Sequence, residues 1–314
     1  MDTFAPMRHD DRPTPAEWRV FGARLLQAAG LGSLGAGVIF FVAANWHAWG
    51  LAGRFGLLEA GLMLCVVVAL WQPPPLRAGQ AALLLATLLT GALLALFGQS
   101  YQTGADVHEL FFTWALLALP FAVAALSGAV WAVWWVVLNV GLALLCNRLA
   151  LGHFFWLVLD DWSRDPATLL MLACLVNLLG AGFFQMLKHS RFVEATPLWL
   201  VRLLLSIGLG YGVAASLPHM TDHSGGVVGL YALISIGVAG ATLARHRDVF
   251  PLTVLAGCWI TISTAWLAHS MRLDDIGQTF ILAVWVVSSS AAAGKLLIHL
   301  VHQWRGSTED GVAS

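Results

Sequence analysis

The sequence predicts an all-α, polytopic integral membrane bundle of about ten transmembrane helices, with both termini in the cytoplasm. Three observations predict it: a composition too apolar for water, ten apolar runs of spanning length, and basic residues that alternate between the two sides. Apolar residues make up 59% and charged residues 11% of 314 positions, against about 45–50% and about 25% in ordinary soluble domains. Mean hydropathy is +0.79. So few charges cannot cover a water-exposed surface of this size, whereas a lipid-facing surface needs none. The net charge of -1 supplies no field for nucleic acid or for acidic substrates at large.

Runs of about 17 to 25 apolar residues between polar punctuation place spans at 27–46, 53–70, 81–98, 110–126, 129–146, 167–187, 198–217, 224–243, 250–269 and 277–300. Residues 1–26 form a cytoplasmic segment with three prolines, in which Thr14 is the expected helix cap and Pro15 the first helical position. The first apolar stretch, 27–46, is long enough to span and lacks a following cleavage pattern, so it reads as a first span rather than a secretion signal. The spans at 110–126 and 129–146 are joined only through Ser127 and Gly128, and Pro120 lies inside the former. Residues 147–166, with HFFWLVLDDWSRDP, are too short to cross and read as an outer interfacial segment. Residues 301–314 read as a cytoplasmic tail.

Orientation follows from the Lys and Arg positions. With the N-terminus inside, the cytoplasm receives Arg8, Arg12, Arg19, Arg24, Arg77, Lys188, Arg191, Arg202, Arg245, Arg247, Lys295 and Arg305. The outside keeps Arg54, Arg148, Arg164 and Arg272. Dropping one span scrambles this bias, so it supports an even number. A bacterial inner membrane is the expected location.

Helix association in lipid depends on close backbone approach. Ala29, Ser33 and Gly37 form one small-residue stripe, and Gly208, Gly212 and Ser216 form another. Tryptophans such as Trp46, Trp49, Trp71, Trp114, Trp156, Trp162 and Trp304 lie where an aromatic belt is expected. Cys65, Cys146, Cys174 and Cys258 all fall in apolar stretches and read as small buried hydrophobes.

Candidate chemistry gathers at the outer ends of the first four spans. Asn45 and Trp46 end the first, Arg54 opens the second, and Gly98 to Asp106, reading GQSYQTGAD, end the third. His108 and Glu109 lead into the fourth at Trp114. Glu59 is the acidic residue placed inside a span, roughly 9 Å in from Gly53 at 1.5 Å per residue, where a carboxylate must be protonated, paired or wet. Arg54 stands about 140° round the helix from it and is a poor partner. Gln99, Tyr101 and Gln102 offer uncharged donors and acceptors, and Gly104 lets the backbone leave the helix. His219 and His223 flank Asp222, but Pro218, Gly225 and Gly226 mark a loop and no third metal ligand is specified. No Gly-rich phosphate loop, HExxH or GxSxG is present, and no prosthetic group is implied.

AANWHAWG followed by FGQSYQTGADVHELFFTWALLALP resembles the signature of the bacterial predicted membrane proteins catalogued as domain of unknown function 2157. The likeness covers roughly residues 18–146. It implies a bacterial inner-membrane protein, singles out Asn45, Trp46, Gln99, Tyr101, Gly104, Asp106 and Trp114, and names no substrate. The leading expectation is transporter-like binding of a small polar or envelope-derived molecule in an outward-facing polar pocket containing Glu59. The alternatives are a non-catalytic scaffold or sensor recognising a periplasmic partner, and an intramembrane enzyme on lipid-linked substrates with Glu59, Asp106 and His108 as acid–base groups.

Overall fold

In lipid the backbone must satisfy its own hydrogen bonds, and helices do so within a single segment. The computed structural model describes residues 48–101, 106–146, 167–186, 198–217, 226–246, 248–271 and 276–310. It also describes 15, 18–23, 25, 26, 29, 30, 33, 40 and 44–46, and omits the side chains of 245, 246, 276 and 305–310. Nine helices are long and apolar enough to cross a membrane among the described residues. They are α1 (Leu51–Trp71), α2 (Arg77–Tyr101), α3 (Val107–Ala125), α4 (Gly128–Leu145), α5 (Ala167–Met186), α6 (Leu198–Ser216), α7 (Gly226–Ala241), α8 (Val249–Met271) and α9 (Ile276–Asp310). The described residues contain helices and turns and no strand. The chain is an all-α, multi-pass membrane bundle. The expected span at 27–46 lies largely outside the described residues, as do Gly37, the interfacial segment 147–166, and the loop carrying His219 and His223.

The chain divides into two units, residues 1–59 and 60–314. In the second unit three apolar clusters hold the helices together. Cys65 and Ala69 of α1 meet Ala82, Leu83 and Ala86 of α2, Ala122 and Ala125 of α3 and Val130 of α4. Trp135 of α4 joins Ala181 and Phe184 of α5 to Leu200 and Leu204 of α6. Cys174 of α5, Leu209 of α6, Tyr231 of α7, and Leu255 and Ile262 of α8 build the third. Alanines dominate the first because small side chains let helices approach where no hydrophobic drive pulls them together.

The stripe at Gly208, Gly212 and Ser216 is buried, as expected. A Cβ on Gly208 would stand 3.1 Å from Asn177 Cβ and from the Cys174 carbonyl, and one on Gly212 would meet the Tyr231 ring. The four cysteines are free, three of them buried and Cys258 half-buried. The two-residue turn after α3 works because Leu126 takes a left-handed backbone (φ 49°, ψ 37°) and its carbonyl accepts a 3.2 Å bond from Gln80 Nε2. α3 continues through Pro120, as membrane helices often do.

Two local features depart from a simple reading of hydropathy. α7 ends in a π-helical turn, Thr242–His246, a form often found at functional sites. α9 runs 35 residues, to Asp310, so a helix continues through ten positions expected as tail. α9 touches α8 through a 3.2 Å bond from Trp285 Nε1 to Ser263 Oγ. Toward the other end of this seam a cavity of about 350 Å³ opens between Val249 and Thr253 on one side and Gly294, Leu297, Val301 and His302 on the other.

Candidate functional site

The residues expected at the outer face are divided between the two units. In the first unit, Ala48 N–H donates to the Asn45 carbonyl at 3.0 Å, closing the turn that follows the Ala-Asn-Trp end. Arg54 Nε donates to the carbonyls of Trp46 (2.9 Å) and Trp49 (3.1 Å). The guanidinium also lies over the Trp46 ring, 5.1 Å from its centroid. The Trp46 carbonyl follows the helical residues 44 and 45, so the guanidinium caps that end, as a cation at a helix C-terminus does, and it also ties Trp49 to the first turn of α1. Glu59 is exposed on α1. Arg54→Gln is expected to cost about 1 kcal/mol, the size of a lost cap. Faster proteolysis near residues 44–50 is the check, and an unchanged digest refutes the cap.

In the second unit, Gln99 and Tyr101 lie in the last turn of α2, and Asp106, His108 and Glu109 at the start of α3; Gln102 and Gly104 lie outside the described residues. Asp106 is the N-cap of α3, extended at φ -65° and ψ 145°, without a side-chain cap bond. Its carbonyl accepts from Glu109 N–H at 3.0 Å. Acids in a helix's first turn complement its dipole, which accounts for Asp106 and Glu109 without a ligand. The Tyr101 ring lies 4.8 Å from that of Phe97, tilted by 41°, and His108 meets Phe112 edge-on at 6.1 Å.

Trp114, expected in the aromatic belt, bonds to the neighbouring helix. Its Nε1 donates at 2.7 Å to the Thr87 carbonyl, in the middle of α2. Its ring fills the space a Cβ would need on Gly91. A motif tryptophan and a glycine on the facing helix thus lock α2 to α3.

The second half holds two polar constellations that the sequence reading missed. Asn139 of α4 and Asn177 of α5, both buried, exchange amide bonds: Asn139 Nδ2 donates to Asn177 Oδ1 at 3.0 Å, and Asn177 Nδ2 donates to Asn139 Oδ1 at 2.8 Å. Each amide also donates to the carbonyl four residues back, Trp135 and Ala173. Tyr211 of α6 donates to the Asn139 carbonyl at 3.1 Å, which draws three helices into one network.

The other constellation lines a cavity of about 360 Å³, within the size range of small-molecule sites. Its wall is the last turns of α5 (Leu178, Ala181, Gly182, Gln185), the first of α6 (Leu198 to Leu205), the end of α7 (Ile234 to Thr242) and the start of α8 (Asp248, Pro251). On that wall Arg202 Nη2 contacts both Asp248 oxygens at 3.1 Å, and its Nε lies 3.3 Å from Oδ2. Asp248 Oδ1 also accepts the Phe250 N–H at 3.1 Å, opening α8, and the Arg202 guanidinium lies 5.1 Å from the Phe250 ring centroid. Arg202, assigned in the sequence to the basic balance of the inner side, is a wall residue of a cavity. The available signals were an arginine five positions into an apolar run and an aspartate just before the next run but one. Among the described residues no group of three or more His, Cys, Asp and Glu could hold a metal.

No curated protein and no solved structure matches the chain. Residues 6–131 match the family model described as predicted membrane protein (DUF2157), so the N-terminal part of this multi-pass membrane chain, with Trp46, Arg54 and the α2–α3 lock, is similar to that family, and the Arg202–Asp248 cavity lies beyond the match.

Proposed function

We propose that the protein is a transporter-like membrane protein that binds a small molecule with a polar end and an apolar body inside its helical bundle. The cavity among α5, α6, α7 and α8 carries this reading, because it sets an ion pair on an otherwise largely apolar wall. Ionisable groups inside membrane bundles mark binding and transport paths more often than they add stability. The binding expected in an outward-facing polar pocket is better carried by this cavity, since Trp46, Arg54 and Trp114 already have bonding partners. The twelve-to-four distribution of Lys and Arg supports an inner-membrane orientation with both termini in the cytoplasm and the cavity toward that side.

Two glycines make the reading testable. Gly182 and Gly237 line the cavity, and a Cβ on either meets nothing within 4 Å. Gly210 has equally open surroundings but lies elsewhere. In a thermal-shift screen of the purified protein against single-chain and double-chain amphiphiles, at least one is expected to stabilise the protein through binding. Gly237→Leu is expected to abolish that shift and Gly210→Leu to keep it. A shift that survives Gly237→Leu, or a panel with no stabilising compound, overturns the proposal.

A further inference from the structure

Resting on that reading, we infer that the ligand is a zwitterionic amphiphile: an ammonium and a phosphate or carboxylate in one head, on a hydrocarbon body. The ion pair decides the charge. Among the described residues Arg202 and Asp248 cancel, and the other polar side chains on the wall, Gln185 and Thr242, are neutral. The Thr242 hydroxyl is engaged with the Val238 carbonyl at 2.7 Å. Both charged side chains stay reachable, at 43% and 29% exposure.

An anion alone that drew Arg202 away would leave the Asp248 carboxylate with the Phe250 N–H. A cation alone that drew Asp248 away would leave the guanidinium with the Phe250 ring. Stripping one member from a partly buried pair is the costly operation, because the other charge is left uncompensated. A zwitterion replaces both halves at once. Its anionic group takes the guanidinium fork, which matches phosphate and carboxylate geometry, and its ammonium takes the carboxylate.

Position decides the body. The wall runs from the helix ends at Gln185, Leu198, Thr242 and Asp248 inward to Leu178, Leu205 and Ile234. At 1.5 Å per residue the seven positions between Gln185 and Leu178 reach about 10 Å. The charged pair therefore lies toward the interfacial end, and the deeper wall is apolar, as a head and a chain require.

The test is native mass spectrometry of the detergent-solubilised full chain, with phosphatidylethanolamine, phosphatidylglycerol and diacylglycerol of identical chains, and with glycerophosphoethanolamine as the head alone. We expect one phosphatidylethanolamine retained about tenfold more tightly than phosphatidylglycerol or diacylglycerol, and no retention of the head alone. Asp248→Asn is expected to erase the preference over phosphatidylglycerol. Gly237→Leu is expected to lower retention of all three lipids. Equal or tighter phosphatidylglycerol binding to the unaltered protein overturns the inference, and that competition needs no variant to fold. Retention of the head alone identifies a soluble zwitterion and overturns the amphiphile. Loss of the lipid preference with a Gly237→Leu effect intact sinks this inference and leaves the broader reading standing; retention untouched by Gly237→Leu sinks both.

Discussion

Gly212→Leu is expected to destabilise the bundle by about 3 kcal/mol, the upper part of the range for overpacking. A side chain there enters the ring of Tyr231, which is fully buried and tethered by its hydroxyl to the Leu209 carbonyl at 3.3 Å. The ring cannot step aside, because Cys174, Leu209 and Leu255 belong to the same cluster. Tyr231→Ala in the same chain makes room for the leucine, so the double variant is expected to be more stable than the sum of the single losses. Reversible unfolding in mixed micelles reads these differences. Additive losses would show that α6 and α7 do not meet at this point.

The second large effect belongs to the amide pair. Asn139→Leu leaves the Asn177 amide buried without its main partner, at a cost of about 1–3 kcal/mol; Asn177→Leu does the same to Asn139. Measured interhelical hydrogen bonds in membranes average only about 0.6 kcal/mol, so most of the single-variant loss comes from the stranded group. The Asn139→Leu, Asn177→Leu double variant is accordingly expected to lose less than either single variant. If it loses the sum of both, the amides do not pair.

How much of this was legible in the sequence differs from element to element. The helices from Leu51 to Met271 begin and end within a few residues of the expected spans, because in lipid an apolar run and a helix are nearly the same statement. α9 escaped in one respect: hydropathy falls near residue 300, but helical hydrogen bonding does not depend on hydropathy, and HQWRGSTED continues the helix. The packing glycines at 208 and 212 were legible as a stripe, and their partners were not, since Cys174, Asn177 and Tyr231 lie on other helices. The same limit hid both polar constellations. Asn139 is 38 positions from Asn177 and Arg202 is 46 from Asp248, and a lone amide or arginine in an apolar run does not name its partner. Motif residues stood out for the opposite reason. Ala-Asn-Trp and the segment into Trp114 are compact in sequence, yet Trp46, Arg54 and Trp114 spend their bonding on caps and helix contacts.

At 1.5 Å per residue α9 measures about 52 Å, while a hydrocarbon core is about 30 Å thick. More than a third of the helix therefore lies past the lipid chains or forces the rest to lean. Its contact with α8 is pinned at Trp285 and Ser263 and gapped beside Thr253 and Gly294. The Trp285–Ser263 bond and the cavity lie at opposite ends of that seam, so the length beyond the membrane leaves the bundle from the gapped end.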